Sequence, residues 1–219
     1  MTPQTADTPE LEIGHMARAA HECPATPKAT TLAARLAAGI PTLKTKRLVL
    51  RPSRLDDFPA FADLLASERS RFVGGPMSRR AAWAEFAQLT AGWLLHGHGG
   101  WTVERDGALM GFVLIGIEPG DHEREVGYLL TEKAEGQGIA TEAARAARDF
   151  AFAELGFETL VSYIDLDNAK SVAVAERLGG CRDETAEAAL DNPMRVYRYP
   201  APTGTRGSGT MNKERGLND

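Results

Sequence analysis

The chain has 219 residues, of which 43% are hydrophobic and 25% are charged, and its formal net charge is −5. This length suits one ordinary domain with tails, and the composition is typical of a soluble globular protein. The negative charge disfavours general nucleic-acid binding. No apolar run approaches the ~20 residues of a membrane helix, and the N-terminus lacks a signal-peptide core. We expect a cytoplasmic protein that does not contact a membrane.

Both ends of the chain are predicted to lie outside the folded domain, which spans residues 42–200. Residues 1–41 are rich in Thr, Ala and Pro. Because the prolines interrupt regular elements, we expect a flexible N-terminal tail there. Residues 201–219 are rich in Gly, Ser and Thr, which predicts a disordered C-terminal tail. The two cysteines, Cys23 and Cys181, lack metal-ligand spacing, and we expect no metal site.

The first part of the domain predicts one strand followed by two helices. Lys46–Arg51 is the strand, and Pro59 lies in the first turn of the next helix. Ser78 is a good N-cap for a second helix. Aromatic residues recur at three- to four-residue steps along that second helix, which predicts a buried face. Arg71–Pro76 connects the two helices.

A meander of antiparallel strands is predicted next. His96–Gly100 contains two histidines without a cluster of carboxylates or cysteines, so we expect a flexible connection. Trp101–Glu104 and Ala108–Ile117 are apolar runs joined by an Asp-Gly dipeptide, which is a strong hairpin signal. After a second turn, Glu123–Leu130 is the third strand.

A glycine-bearing loop then leads into an alanine-rich helical pattern. Gly136-Gln137-Gly138 precedes this helix, and Gly156 is its expected C-cap. The helix N-terminus exposes N–H groups and positive dipole charge, and glycines allow close approach, so the loop is a candidate phosphate site. It lacks the Lys-Ser/Thr of a P-loop, and Thr141 stands where a dinucleotide fingerprint has a third small residue. The alternative is a tight connection without a ligand.

The remaining elements complete an α/β pattern. Thr159–Ile164 predicts a buried strand parallel to Glu125–Leu130, with the intervening helix as a right-handed crossover. Asn168 begins another helix, which ends near Gly179. Arg195–Tyr199 alternates like a last strand.

Three blocks of this sequence, in order, resemble the GCN5-related N-acetyltransferases (GNAT), and especially their ribosomal-protein N-terminal acetyltransferases. The blocks are Glu-Val-Gly-Tyr from Glu125, Gly-Gln-Gly-Ile-Ala-Thr-Glu-Ala from Gly136, and Asn-x-x-Ser…Glu-Arg-Leu-Gly from Asn168. The resemblance covers about Thr42–Tyr199. It implies an α/β (α+β) fold with a mixed, mostly antiparallel sheet of six to seven strands flanked by helices. Its two central parallel strands are expected to splay apart.

This resemblance also implies an activity. Acetyl-CoA, as co-substrate, would bind between the splayed strands, and its acetyl group would pass directly to a primary amine. The amine belongs to a protein N-terminus or to a small molecule, and the sequence does not decide between them. Dimers are common in this branch, so a homodimer is a further expectation. No metal is implied.

The residues that contact acetyl-CoA follow from the same resemblance. Main-chain groups of Tyr128, Leu129 and Leu130 would bind the pantetheine arm and polarise the acetyl carbonyl. Asn168 and Ser171 would contact the pantetheine arm or the thiol. The pyrophosphate would lie against the backbone of Glu135, Gly136, Gln137, Gly138, Ile139, Ala140 and Thr141.

Acetyl transfer needs a base for the amine and a proton for the leaving thiolate. Glu125 is our first choice of base and Glu123 the reserve, the alternative for Glu125 being a solvated charge. Many GNAT members carry a tyrosine that acts as the general acid at the position where this chain has Ala175. Ser171, water or Tyr163 remain as proton sources, or the thiolate leaves unprotonated.

Glu135 departs from the family pattern, which usually has Gln, Arg or an aromatic residue at this position. We expect this carboxylate to turn outward or to weaken CoA binding. Together with Ala175, it permits an alternative function, a non-catalytic acyl-CoA-binding or sensor module on the same fold.

Overall fold

A computed structural model describes residues 18–202 of the chain. Within them, eight strands form one sheet in the order β1-β2-β3-β4-β5-β6-β8-β7. The strands are β1 (Leu43–Lys44), β2 (Val49–Pro52), β3 (Gly100–Arg105), β4 (Ala108–Gly116), β5 (Glu125–Leu130), β6 (Thr159–Asp165), β7 (Cys181–Arg182) and β8 (Met194–Pro200). The helices are α1 (Pro27–Ala37), α2 (Phe58–Ala66), α3 (Arg79–Leu95), α4 (Ile139–Ala153), α5 (Ala169–Arg177) and α6 (Glu184–Glu187).

The predicted fold class is confirmed. Neighbouring strands run antiparallel except β5 and β6, which are parallel and connected through α4. The predicted hairpin turn is present, with Asp106 and Gly107 at φ of 52° and 76°, the positive values that a tight turn of this kind requires. The sheet has eight strands rather than six or seven because β1 and β7 contain two residues each, too few to show an alternating pattern.

The two faces of the sheet carry separate apolar clusters. On one face, α4 packs through Ile139 and Ala143 against the central strands, and Val126, Tyr128 and Leu130 of β5 belong to this cluster. On the other face, α2 and α3 form a second cluster that includes Leu129 of β5. Since side chains alternate along a strand, the two clusters show which face each residue of β5 occupies.

The aromatic residues of α3 are divided between these clusters. Phe86 is buried between α2 and α3 and lies 5.6 Å from Phe58 between ring centroids. Trp93 instead packs edge-on against Trp101 of β3 at 4.6 Å and donates from its indole N–H to the Gly100 carbonyl. The periodicity in the sequence therefore predicted buried aromatic contacts, but not which cluster each ring joins.

Part of the segment expected to be a flexible tail has regular structure. Pro27 occupies the first turn of α1, and the Thr26 hydroxyl accepts a hydrogen bond from the Ala29 N–H at 3.1 Å. Glu22 is buried against Arg79 of α3, with Nε to Oε1 at 2.7 Å. Residues 1–17 and 203–219, which include most of the predicted C-terminal tail, lie outside the described residues.

The histidine pair after α3 also differs from expectation. His98 is buried, its Nδ1 lies 2.9 Å from the Ile115 carbonyl, and its Nε2 accepts a hydrogen bond from Arg124 at 3.2 Å. Burial and the Arg124 charge lower the pKa of His98, so the neutral imidazole is favoured.

Within residues 18–202, no helix is long and apolar enough to cross a lipid bilayer.

Candidate active site

The centre of the sheet opens where β5 and β6 separate. Among residues 18–202, their register has one pair, Glu125 opposite Val161. Further along, the Ser162 hydroxyl donates to the Val126 carbonyl at 2.8 Å, a position that a strand–strand bond would otherwise occupy. The predicted splay is therefore present, and it opens a wedge beside Tyr128–Leu130.

The loop before α4 has the backbone conformation that its glycines predict. Gly136 and Gly138 have φ of 71° and 73°, in the left-handed region that other residues rarely adopt. Gly138 is the N-cap of α4, so the first N–H groups of the helix face outward without intrahelical partners. Arg47 stabilises the loop, because it donates to the Gln137 carbonyl at 3.0 Å and to Glu142 at 2.7 Å.

The wedge and the loop border one groove of about 1620 Å³. The structure brings to this groove all of the predicted coenzyme-contacting residues except Gln137: Tyr128, Leu129, Leu130, Glu135, Gly136, Gly138, Ile139, Ala140, Thr141, Asn168 and Ser171. The Gln137 side chain turns away and pairs with Arg105 and the Lys133 carbonyl. The groove combines a cradle of N–H groups, open space at Gly136 and length for an extended ligand, which fits a CoA molecule.

Glu135 does turn, but toward cations rather than into solvent. Its carboxylate forms ion pairs with Lys170 at the start of α5 and with Arg69 between α2 and α3, the latter at 3.0 Å. Lys170 and then Arg69 lower the pKa of Glu135, so the carboxylate is charged near neutral pH. The negative charge of Glu135, which departs from the family pattern, is therefore neutralised by two side chains that also line the groove.

Ser171 lies beside a tyrosine that the motif analysis had assigned a backbone role only. The Tyr128 hydroxyl donates to the Ser171 hydroxyl at 3.1 Å. Asn168 fixes Ser171 in turn, because its side-chain oxygen accepts from the Ser171 N–H at 3.1 Å and caps α5. Burial raises the pKa of Tyr128, which keeps its proton on the oxygen at neutral pH.

A second cavity of about 530 Å³ meets the groove at Tyr128, Asn168 and Ser171. Its walls include aromatic rings from α2 and β4, and the loop after α2 contributes Phe72. Carboxylates also line this cavity: Glu85, Glu118, Asp121, Glu125 and Asp191. A chamber with both apolar and acidic lining suits an amine that arrives protonated.

Glu125 has the properties of a base for such an amine. Burial, reinforced by the negative charges of Asp121 and Glu118, raises the pKa of Glu125 to about 8, although a contact with the Tyr163 backbone acts in the opposite direction. Glu125 lies two residues before Gly127 and four before Leu129, so it shares the α2–α3 face of β5. Tyr128 occupies the other face. The carboxylate and the hydroxyl pair thus flank the wedge from opposite sides.

The reserve candidates are less suited to proton transfer. Both Glu123 oxygens accept from Arg198, at 2.5 and 2.6 Å, and this contact lowers the pKa of Glu123. The Tyr163 hydroxyl accepts from the Glu123 N–H at 3.1 Å, which places it at the entrance to β5. Ala175 is buried in the core, so the usual tyrosine position supplies no hydroxyl.

Comparison with known proteins agrees with this arrangement. Residues 47–180 match the family described as Acetyltransferase (GNAT) domain. The chain belongs to the GNAT acetyltransferase family. Members of this family use acetyl-CoA as donor, which agrees with the fit between the groove and a CoA molecule.

Three relatives illustrate this GNAT chain's similarities. An acetyltransferase from Agrobacterium tumefaciens is 46% identical, with a TM-score of 0.70 over 74% of this chain and 95% of that one. RimL, a ribosomal-protein α-N-acetyltransferase solved with coenzyme A, shares 19% identity and the fold, with a TM-score of 0.60 over 73% and 98%. YdaF of Bacillus subtilis, provisionally named a ribosomal N-acetyltransferase, is 34% identical over 39% of this chain and 47% of its own length. The chain spans less than half the length of the curated relatives that it matches.

Two features of this GNAT site were not found by motif analysis. The Tyr128 side chain was overlooked because the Glu-Val-Gly-Tyr block was interpreted through its main chain alone. Alternation along β5 would have placed Tyr128 opposite Glu125. Arg69 is 66 residues from Glu135, and no pattern in the sequence links the two.

Proposed function

We propose that this chain is an N-acetyltransferase that transfers the acetyl group of acetyl-CoA to a primary amine. The observation that carries the proposal is the junction of the groove and the acidic cavity, with Glu125 on one face of β5 and Tyr128–Ser171 on the other. A donor site and an acceptor site that meet at a base and a proton donor are what direct transfer requires.

The chain's residues divide the binding work. When bound, acetyl-CoA supplies an acetyl group activated as a thioester. The N–H groups of the loop and the first turn of α4, from Glu135 to Thr141, would hold its pyrophosphate, and Asn168 and Ser171 would contact its pantetheine end. Main-chain N–H groups of Tyr128–Leu130 along the opened edge of β5 would polarise the acetyl carbonyl.

Proton movements complete the reaction. The Glu125 carboxylate accepts a proton from the acceptor's ammonium group, and the amine nitrogen then forms the new bond to the acetyl carbon. As the carbon–sulfur bond breaks, the Ser171 hydroxyl gives a proton to the sulfur and is resupplied by Tyr128 at 3.1 Å. The new amide nitrogen then releases its second ammonium proton through water, which restores the proton of Tyr128, and Glu125 passes the first proton to solvent. A pKa of about 8 suits Glu125 to this exchange near neutral pH.

The acceptor class follows from the cavity. The carboxylates in its lining favour a cationic amine, and its aromatic walls favour an apolar neighbour to that amine. Because RimL acts on the N-terminus of a ribosomal protein, N-terminal peptides belong in the test panel together with small amines.

Calorimetric titration with acetyl-CoA, followed by thiol release against this panel, tests the proposal. We expect binding, and turnover with at least one amine. Binding without turnover on any amine would favour the alternative, an acyl-CoA sensor. Failure to bind acetyl-CoA would show that the chain has kept the fold without the donor site.

A further inference from the structure

At the mouth of the donor groove, one carboxylate connects three structural elements through ion pairs. Glu135 belongs to the loop before α4, Lys170 to the first turn of α5, and Arg69 to the connection between α2 and α3. Arg69 is further positioned by its Nε, which donates to the Leu130 carbonyl at 3.2 Å. The bridge therefore crosses the groove at the end of β5, beside the glycine loop.

The contacts of this bridge are readily exchanged. The side chains of Glu135 and Arg69 are 38% and 32% exposed, and that of Lys170 is 84% exposed. Exposed ion pairs contribute little to stability because water screens them and long side chains lose freedom in forming them. The bridge thus contributes little to the stability of the fold, and its two cations can exchange Glu135 for another anion.

A second carboxylate in the same region is bound in a different way. Glu142, in the first turn of α4, accepts from the Thr45 hydroxyl at 2.6 Å and from the Arg47 N–H and Nε. Its side chain is 19% exposed. These residues also line the groove, but Glu142 is held by a hydroxyl, a main-chain N–H and a guanidinium and is less exposed, whereas Glu135 is held only by two exposed cations, so the Glu135 bridge is the more readily exchanged.

Phosphate is the anion best suited to replace this carboxylate. It carries more charge and more acceptor oxygens, and a guanidinium binds it through two parallel hydrogen bonds. The same groove offers the N–H cradle of the glycine loop next to the bridge. A phosphate group placed against the cradle would be within the region that Arg69 and Lys170 already span.

We propose that Arg69 and Lys170 are the side chains that bind a phosphate group of the coenzyme, and that Glu135 holds both cations in the unliganded groove until the phosphate replaces it. This inference rests on the proposed function, in which the groove binds acetyl-CoA. In the unliganded groove, the Glu135 carboxylate then takes the place of the coenzyme phosphate: it keeps the two cations in position, and it competes with the phosphate for them.

Calorimetry with CoA tests the exchange through binding alone. Arg69→Met and Lys170→Met should each weaken CoA binding by about fivefold, the range of a partly exposed charge pair. Glu135→Gln should strengthen CoA binding by a similar factor, because both cations are released and a negative charge is removed. The slope of log Kd against log salt concentration should fall for both cation variants.

A matched control and a second ligand sharpen the test. Arg182→Met removes an exposed arginine that pairs with Glu187 away from the groove, and it should leave the Kd unchanged. Repeating the titrations with CoA that lacks its 3′-phosphate identifies the group: equal losses for both ligands indicate the pyrophosphate, and a loss for intact CoA alone indicates the 3′-phosphate.

Several results would overturn the exchange. They are an unchanged Kd in both cation variants, weaker binding in Glu135→Gln, or a loss in Arg182→Met equal to that in Arg69→Met. Each of these outcomes presupposes that the wild-type chain binds CoA. Absence of binding in the wild-type chain would instead contradict the proposed function itself.

Discussion

The proposed donor groove and the proposed acceptor cavity differ in the chemical groups that they present to a ligand. The groove presents main-chain groups, and two of the carboxylates in its lining, Glu135 and Glu142, are neutralised by cations. The cavity presents side chains, and burial raises the pKa of both Glu118 and Glu125, with a further rise from the negative charges of neighbouring carboxylates. A main-chain site suits one constant ligand, whereas a side-chain site is free to change with the acceptor.

Loss of the base should produce the largest effect and should affect only the cavity side. We expect Glu125→Gln to lower turnover by about 100-fold or more, as for removal of a general base, with an unchanged Kd for CoA. Wild-type turnover should rise with pH through about 8, where Glu125 ionises, and this limb should be absent in the variant.

Steady-state kinetics across pH with calorimetry for CoA measures both parts of this prediction. Glu154→Gln, an exposed change at the end of α4 outside both cavities, is the control. Wild-type turnover in Glu125→Gln at every pH would remove this carboxylate from the mechanism.

The converse change should affect only the donor side. Gly138→Asp puts a negative charge into the N–H cradle, and we expect CoA to bind at least about tenfold more weakly. Gly138→Asn is the matched control, since Asn has the same shape and tolerates the positive φ of this position equally well. Equal affinity of the two variants in calorimetry would argue against a phosphate at this loop.

A smaller effect is expected at the junction between the two sites. Tyr128→Phe removes the hydroxyl that resupplies Ser171, and we expect turnover to fall by about tenfold while the Kd for CoA stays the same. The loss is modest because a thiolate is a fair leaving group even without a proton. Tyr197→Phe, a tyrosine in the core outside both cavities, should retain wild-type turnover. If the two variants behave alike in single-turnover assays, the Tyr128 hydroxyl has no role in proton transfer.

A further effect concerns stability rather than turnover. Because the folded-state pKa of Glu125 is raised from 4.5 to about 8, the folded protein holds this proton more tightly than the unfolded chain, and stability falls as pH rises between these values. Glu125→Gln should remove this fall and gain about 5 kcal/mol over wild type above pH 8, relative to their difference below pH 4.5, at about 1.4 kcal/mol for each pH unit between the two pKa values. Urea unfolding at both pH values measures it, and parallel pH profiles would show that Glu125 has an ordinary pKa.

The difference between contacts of adjacent residues and contacts of distant residues explains how much could be predicted from the sequence. The strand–loop–helix unit around Gly136 and Gly138 was predictable because positive φ, capping and helical periodicity are encoded in adjacent residues. The Asn168 cap of α5 was predictable for the same reason. The fold class and the residues that line the groove followed from the resemblance of these blocks, taken in order, to the GNAT family.

One feature that was missed is local: α1 begins at the Thr26 cap and Pro27, which a composition-based view of the N-terminal segment passes over. The other features depend on contacts between distant residues. The burial of His98 requires Ile115 and Arg124, and the ion pairs of Glu135 require Arg69 and Lys170. Such pairings appear only when the chain is folded, because no local spacing links their members.

The separation of β5 from β6 places an edge strand in the interior of the protein. Edges at the rim of a sheet expose peptide groups to any passing chain, and proteins commonly blunt them to avoid aggregation. Here the opening begins at a paired position, Glu125 with Val161, and helices on both faces flank it. The peptide groups along this internal edge therefore form a recognition surface that is shielded from edge-to-edge association with other protein molecules.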